Sequence, residues 1–416
     1  MAREGRRVVV TGAAAISPLG HDWPTIHARL RTLRNAVRTM PEWDAYAGLN
    51  TRLAAPALPF ELPAHYNRKT TRSMGRVALM AVRASELALQ QAGLLDHPVL
   101  RDGRTGVSYG SSAGSHEAMG EFGRMLNSFT TEGITATTYL KMMSHTAAVN
   151  IGVFFGLSGR VHTTSSACTS GSQGIGEAYE TLRAGRQVVM LAGGAEQLDA
   201  TAAAVFDTLY ATSVRNEDPA STPRPFDAAR DGLVLGEGAC TLVLEELEHA
   251  LGRGAPILAE VLGYGSNSDG QHVTQPSSPT MARAMQLALD DAGLAPSRIG
   301  YVNAHGTATE HGDIAESQAT AQVFGDTVPV STLKGHVGHM LGACGAFEAW
   351  MSIEMMRQGW FAPTLNLVDV DPRCAALDHI RGDGRTLQVD YVASNNFAFG
   401  GINTSLVFGR YPRTGA

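Results

Sequence analysis

Apolar positions along the chain fall into two alternating patterns. Short runs such as RRVVVTG (6–12), TGVSY (105–109), VVMLAGG (188–194) and LGEGACTLVLEEL (235–247) are apolar and bounded by glycine or polar residues. They read as buried strands, the first of them ending in a turn. Between them lie stretches with helical spacing, such as RSMGRVALMAVRASELALQQAGL (72–94), where Gly93 is placed to cap the C-terminus. Pro24, Pro41, Pro56, Pro59 and Pro63 break residues 22–65 into irregular structure, and residues 211–232 read as polar loop. Strand and helix patterns in alternation predict an α/β protein.

The pattern also repeats. MARAMQLALDDAGL (281–294) echoes VRASELALQQAGL (82–94), and each is followed by a strand and a small polar loop, YGSS (109–112) or NAHGT (303–307). Further on, residues 328–359 follow the plan of residues 161–185: a β run, a polar turn, then a helix ending Arg-x-Gly. Two echoes in the same order predict an internal duplication. We place the halves at residues 1–254 and 255–416, packed face to face with matching loops on one side. That arrangement would bring Cys168, His305 and His339 into one site.

The stretch VHTTSSACTSGSQGIGEAYETLRAG (161–185) sets Cys168 where a buried strand would pass into a helix. Unpaired N–H groups and the helix dipole at such a point would lower the thiol pKa towards neutrality. Gly171, Gly174 and Gly176 would keep the space beside the sulfur open. A lone cysteine is as readily a small core residue; the strand–Cys–glycine–helix context argues for the nucleophile. NAHGTAT puts His305 at a strand end, and KGHVGH puts Lys334, His336 and His339 in a turn that opens a helix. A thiolate with two imidazoles suits acyl transfer, with backbone N–H groups at Cys168 and in the 397–401 turn as an oxyanion hole. His336 and His339 as a metal pair would lack a third ligand, and Lys334 with Glu348 could equally be a surface ion pair. Gly110-Ser111-Ser112-Ala113-Gly114 matches the nucleophile elbow of serine hydrolases, with Ser112 as the rival nucleophile.

Composition narrows the class. Of 416 residues 44% are hydrophobic and 17% charged, and the net charge of −6 gives no reason for nucleic-acid binding. Cys168, Cys240, Cys344 and Cys374 lie too far apart for a zinc framework and lack disulfide-scaffold spacing. The N-terminus lacks a signal-peptide h-region, and no apolar run reaches the ~20 residues of a membrane span. A cytoplasmic protein is expected.

RRVVVTG, SACTSG, RPFDAARDGLVLGEGA, HGTAT with GDIAE, the lysine–histidine loop ending GHMLGA, and NFAFGG together give the chain a family likeness. It resembles the β-ketoacyl-[acyl-carrier-protein] synthases of the elongating type I/II kind over nearly its full length. The resemblance implies the thiolase fold, two duplicated halves in a five-layer αβαβα sandwich, and a homodimer or a heterodimer with a related subunit. It implies that Cys168 accepts an acyl chain from acyl carrier protein. His305 and His339 would bind the malonyl carbonyl and stabilise the enolate formed on decarboxylation. Lys334 and Glu348 would support the histidines. Phe399 would gate the site and share the oxyanion hole, with Phe397 beside it. Thr307 and Thr309 would bind the phosphopantetheine that arrives on the carrier, no other cofactor being required. Asn303, Glu348, Ser394 and Asn395 match a structural monovalent-cation site of some members. Arg68, Lys69, Arg72 and Arg215 would offer a basic face to the acidic carrier; the bland alternative is a solvated surface.

Three departures bear on substrate. Tyr109 stands where members vary the residue facing the acyl pocket, so an inward ring would shorten it or favour a flat unsaturated chain. Ala398 replaces a glycine of the gating turn, and Lys141 lies in a region that is usually apolar. The segment NAVRTMPEWDAYAGLNTRLAAP (35–56) is closer to ketosynthases of specialised polyene or polyketide pathways. A chain-length factor, the non-catalytic partner subunit, typically lacks the cysteine that is present here, and a thiolase would carry a second cysteine near the C-terminus.

Overall fold

The computed structural model describes residues 5–412. The first half runs β1 (Val8–Ile16), α1 (Arg76–Gln91), β2 (Thr105–Gly110), α2 (Thr146–Phe155), β3 (Val161–Thr163), α3 (Ser170–Arg183), β4 (Val189–Glu196) and β5 (Gly238–Glu246). The second half runs β6 (Ala259–Ser268), α4 (Ser278–Ala292), β7 (Tyr301–Asn303), α5 (Glu310–Phe324), β8 (Pro329–Ser331), α6 (Cys344–Gln358), β9 (Tyr391–Ala398) and β10 (Ile402–Gly409).

Across the sheet the strands stand in the order β3-β2-β4-β5-β1, then β6-β10-β9-β7-β8, with the short strand Asp378–His379 beyond β8. In the first half β2 is parallel to β3 and β4, while β5 is antiparallel to β4 and β1. The second half repeats this: β7 is parallel to β8 and β9, and β10 is antiparallel to β9 and β6. Same order and same sense in both halves are the mark of a duplication. The halves join where β1 and β6 pair antiparallel, Val8 with Val261 through Val10 with Ala259.

Helices α3 and α6 pack on each other and touch strands of both halves. Helices α1 and α2 cover the outer face of the first half, and α4 and α5 that of the second. The result is the expected αβαβα sandwich. Helix α6 is buried from Cys344 to Met356, which is why its sequence is apolar nearly all round instead of in one stripe.

Local readings needed correction in four places. Strand β1 does not turn at Thr11-Gly12 but continues to Ile16 through a bulge, where a Cβ on Gly12 would lie 2.4 Å from the Ala88 carbonyl oxygen. The stretch read as irregular contains a helix, Trp23–Leu30, capped by Asp22, with Pro24 in the first turn where its missing N–H is no loss. Strand β3 is not buried, because it is the outermost strand of the first half and leaves Val161 exposed. The glycines of α3 do not open space beside Cys168. A Cβ on Gly171 would meet the Gly342 carbonyl oxygen at 2.9 Å, one on Gly174 would meet the Ser108 and Gly193 oxygens at 2.9 Å, and one on Gly176 would meet the Tyr264 ring at 2.3 Å. They let the central helix sit against α6 and the strands of both halves. No helix among the described residues is long and apolar enough to cross a membrane.

Because α3 is wedged between the halves, Gly176→Ala should lower the denaturant midpoint by an amount equivalent to ~1–3 kcal/mol, the usual cost of overpacking. A midpoint unchanged within error would mean that the Tyr264 ring moves aside freely.

Candidate active site

Cys168 stands in a single 3-10 turn, Ala167–Thr169, that runs into α3. Ala167 holds φ +50°, a left-handed conformation that costs a residue with a Cβ ~1–2 kcal/mol and turns the chain sharply enough to present the thiol. The second half has the same device before α6, where Leu341 holds φ +42° and Gly342 takes the place that Cys168 takes in the first. Of two matching elbows, one carries a nucleophile.

The Cys168 Sγ lies 3.0 Å from His339 Nε2. The His305 and His339 rings stand edge to face with centroids 5.1 Å apart. Lys334 Nζ is 3.2 Å from His305 Nδ1 and 2.5 Å from Glu348 Oε1. An ammonium has only protons to give, so Nδ1 of His305 accepts and the ring proton sits on Nε2. Asn396 completes the support, its Nδ2 lying 3.3 Å from His305 Nδ1 and 2.7 Å from Glu348 Oε2.

Burial dominates the electrostatics. It pushes both histidines well below the ordinary imidazole range, reinforced by the nearby Lys334 charge, so both rings are neutral at physiological pH. Burial would also lower Lys334, but the Glu348 carboxylate overrides it and holds the ammonium above its ordinary value. The Cys168 thiol is pushed up to about 12 by burial, against the opposing pull of Lys334 and the backbone N–H groups of Phe399 and Cys168 itself. The expected lowering at the helix start is therefore overturned: desolvation outweighs the helix end. The two N–H groups nevertheless converge on the sulfur, the arrangement expected of an oxyanion hole.

A cavity of about 550 Å³ leads to the thiol, walled by Cys168, His305, His339, Thr307, Phe397 and Phe399 among others. Thr307 and Thr309 face each other through a 2.8 Å hydroxyl contact along it. The Phe399 ring packs against Phe206, centroids 5.2 Å apart, and Phe397 lies edge to face with His305 at 6.1 Å.

Three supporting residues escaped individual notice in the sequence. Glu316 accepts from the N–H groups of His305 (2.6 Å) and Gly306 (2.7 Å), while burial pushes its carboxyl up to about 8. Asp313, one turn earlier on α5, accepts from Thr307 (3.0 Å), Ala308 (3.1 Å) and Phe226 (2.6 Å), with burial pushing it to about 6. Asn396 is the third. The signal for the two acids was their i, i+3 spacing in GDIAE, which puts both on one helix face; nothing local marked Asn396.

Other expected residues are placed elsewhere. Tyr109 does not line the cavity at Cys168: it is fully buried in the first-half core, among Val107, Ala147 and Ile151, with its hydroxyl donating to the Cys240 carbonyl oxygen at 3.1 Å. Ser112 is bound to Glu196, its Oγ 2.5 Å and its N–H 2.9 Å from Oε2, and the histidines serve Cys168 instead. His336 Nε2 is engaged by the Pro363 carbonyl oxygen at 3.0 Å. Cys168, His305 and His339 do offer ligand atoms within 4.8 Å of one another, but Lys334 sets a positive charge against a cation there. Arg68, Lys69 and Arg72 are exposed, and neither they nor Arg215 line the cavity; Arg215 pairs at 3.4 Å with Asp231, which does. Asn303 Nδ2 lies 3.4 Å from Ser394 Oγ, and Asn395 Oδ1 accepts from Ser405 at 2.7 Å.

Two family models match: "Beta-ketoacyl synthase, N-terminal domain" over residues 5–250 and "Beta-ketoacyl synthase, C-terminal domain" over residues 258–368. A 3-oxoacyl-[acyl-carrier-protein] synthase 1 of Haemophilus influenzae is 35% identical over 410 residues, spanning 98% of this chain and 99% of that one. A crystal structure of a beta-ketoacyl synthase from Burkholderia phymatum superposes with TM-score 0.96 at 61% identity, covering 97% and 99%. The ishigamide ketosynthase/chain length factor superposes at 0.88 with 32% identity, covering 98% and 100%.

A thiol held up by burial is uncharged in the resting enzyme. Its alkylation by iodoacetamide should therefore rise about tenfold per pH unit from pH 7 to 10. A plateau near pH 7 would show a thiolate already stabilised.

Proposed function

The chain belongs to the β-ketoacyl synthase family, and we propose that it condenses an acyl group held on Cys168 with malonyl-[acyl-carrier-protein], in fatty-acid or polyketide chain elongation. The observation that carries this reading is the thiol 3.0 Å from one neutral imidazole and beside a second, on a cavity of about 550 Å³.

In the first stage the Cys168 sulfur attacks the acyl thioester. The carbonyl oxygen, as it becomes negative, is held by the N–H groups of Cys168 and Phe399, and the thiol proton ends on the departing pantetheine sulfur. No net charge is left in the buried centre. In the second stage the malonyl thioester carbonyl accepts from Nε2–H of His305 and of His339. The bond to the carboxylate breaks, CO2 leaves, and its electron pair enters the enolate that the two donors stabilise. The enolate carbon attacks the acyl-Cys carbonyl, the same N–H pair takes the oxyanion, and collapse expels the Cys168 thiolate, which regains a proton from solvent. The product is a 3-ketoacyl thioester on the carrier. Thr307 and Thr309, which line the cavity, would bind the pantetheine amides as the arm enters.

Neutral imidazoles suit this chemistry, because a charged pair would bind the malonyl carboxylate too well to release it as CO2. The intact nucleophile argues against a non-catalytic partner subunit. A structural monovalent cation beside Asn303 is supported by its side-chain oxygen, which is buried without a partner; both Glu348 oxygens are already taken, by Lys334 and Asn396. Pairing with a second copy or a related subunit is supported by the open edge of β3, with Val161 exposed. A cytosolic location is supported by four cysteines that are all free.

Incubated with acyl-carrier proteins, the wild type should gain the acyl mass and Cys168→Ala should not. Cys168→Ala should still decarboxylate the malonyl donor, since that step uses the histidines alone. His305→Ala should lose ~10²–10³ of the decarboxylation rate with the loss of one oxyanion donor. Acylation of Cys168→Ala would contradict the assignment.

A further inference from the structure

Strand β2 runs parallel to β3 on one side and to β4 on the other, so the loops that follow these strands, residues 111–115, 164–169 and 197–199, stand side by side. The carboxyl ends of parallel strands are the ordinary place for a ligand crevice. Ser165 Oγ donates to the Ser111 carbonyl oxygen at 2.9 Å, and Ser112 Oγ donates to Glu196, which ties the three loops together. His116 lies close enough to Asp199 for that charge to act on the imidazole. Ser112, Ala113, His116, Leu198 and Asp199 are half-buried, so the crevice between the loops opens to solvent.

Buried polar atoms gather here without partners. Glu196 Oε1, Gln197 Oε1, Ser115 Oγ and Ser166 Oγ meet no hydrogen-bond partner among the described residues, although these residues are only 1%, 5%, 1% and 8% exposed. His116 Nδ1 is a fifth such atom. Each is costly to leave unmet, and each needs an explanation. Poor local fit does not supply one: the other Glu196 oxygen, Oε2, accepts from Ser112 and from the Gly342 N–H. Five atoms in three adjoining loops point to a polar group that arrives from outside the chain.

The chain next to these atoms turns apolar towards the sulfur. Leu198 follows Gln197, and Leu341 precedes the Gly342 that holds Glu196. Both leucines belong to one apolar cluster with Cys168, Ala202 and Phe206. A chain attached to Cys168 and lying on this cluster meets apolar side chains first and hydrogen-bonding atoms at its tip.

We propose that the acyl chain received by Cys168 ends in an uncharged hydroxyl group, which Glu196 and Gln197 bind at the far end of the chain. The proposal rests on the condensing function above and names its substrate class. A hydroxyl both donates and accepts, which suits carboxyl and amide oxygens together with serine hydroxyls. A methyl end would leave all five atoms unmet. A carboxylate end has no proton to give and would face Glu196 and Asp199. Burial pushes the Glu196 carboxyl up to about 7, so it lacks the full charge that would hold a cationic end.

The test offers the wild type pantetheine thioesters in a series of chain lengths, each with a methyl, hydroxyl or carboxyl end, and follows acylation of Cys168 by intact mass. At the length that reaches the loops, the hydroxyl-ended chain should load with a kcat/KM about tenfold or more above the methyl-ended one, as for a site built to hydrogen-bond its substrate. The carboxyl-ended chain should be slowest. Gln197→Leu should slow the hydroxyl-ended chain about tenfold and not the methyl-ended one. An equal fall for both chains would show a merely structural residue and overturn the proposal. So would a preference for the methyl end at every length, which would mean that water alone meets these atoms. Loading from no donor, with malonyl decarboxylation also absent, would overturn the condensing function itself and this inference with it, a result distinct from loading of methyl-ended chains alone.

Discussion

The interaction on which the site depends is the ion pair between Lys334 and Glu348. Both side chains are 1% exposed, and the two charges sit 2.5 Å apart in the interior. A buried pair of this kind seldom adds stability over an apolar substitute, but removing one member strands the other at a cost of ~3–5 kcal/mol. Its value here is directional. Lys334 can only donate, so it fixes His305 Nδ1 as an acceptor and leaves the ring proton on Nε2. The same positive charge helps keep both imidazoles neutral and draws the Cys168 pKa down against burial. Glu348 keeps that ammonium charged in a place where burial would otherwise discharge it.

The duplication explains why one fold offers two elbows and uses one. Ala167 and Leu341 hold the same left-handed turn in matching places. In the first half the turn presents Cys168. In the second it presents Gly342, whose N–H donates to Glu196 Oε2 at 3.0 Å, the same oxygen that holds Ser112. The second elbow has become a brace that ties the turn after His339 to the loop after β2. The strain of the first is retained where it aims a nucleophile, and the halves contribute unequally: the thiol from one, both histidines and the lysine from the other.

Much of this was legible in the sequence. The repeated helix and loop phrases gave the duplicated α/β architecture, and the small-residue stretch around Cys168 with two histidine loops gave the central trio. The misses share a cause. The helix end alone would lower the Cys168 pKa, but its burial depends on α6, Phe399 and the histidines, all far away in sequence. The α3 glycines neighbour the sulfur in the chain, but in space they face Gly342, Ser108 and Tyr264. The resemblance sets Tyr109 at an acyl pocket, whereas the fold buries its ring in the first-half core. Glu316 and Asn396 act through hydrogen bonds that only the fold creates. Local pattern reports element type well and third-dimension neighbours poorly.

The most direct test of the account is the tautomer of His305, read from the 15N shifts of the histidine ring nitrogens in the wild type and in a His305→Gln reference that identifies its signals. The account predicts a neutral ring protonated on Nε2 at pH 7, with no titration down to about pH 5. An imidazolium that titrates near the ordinary value, or a proton on Nδ1, would contradict it, since either would mean that Lys334 does not direct the ring.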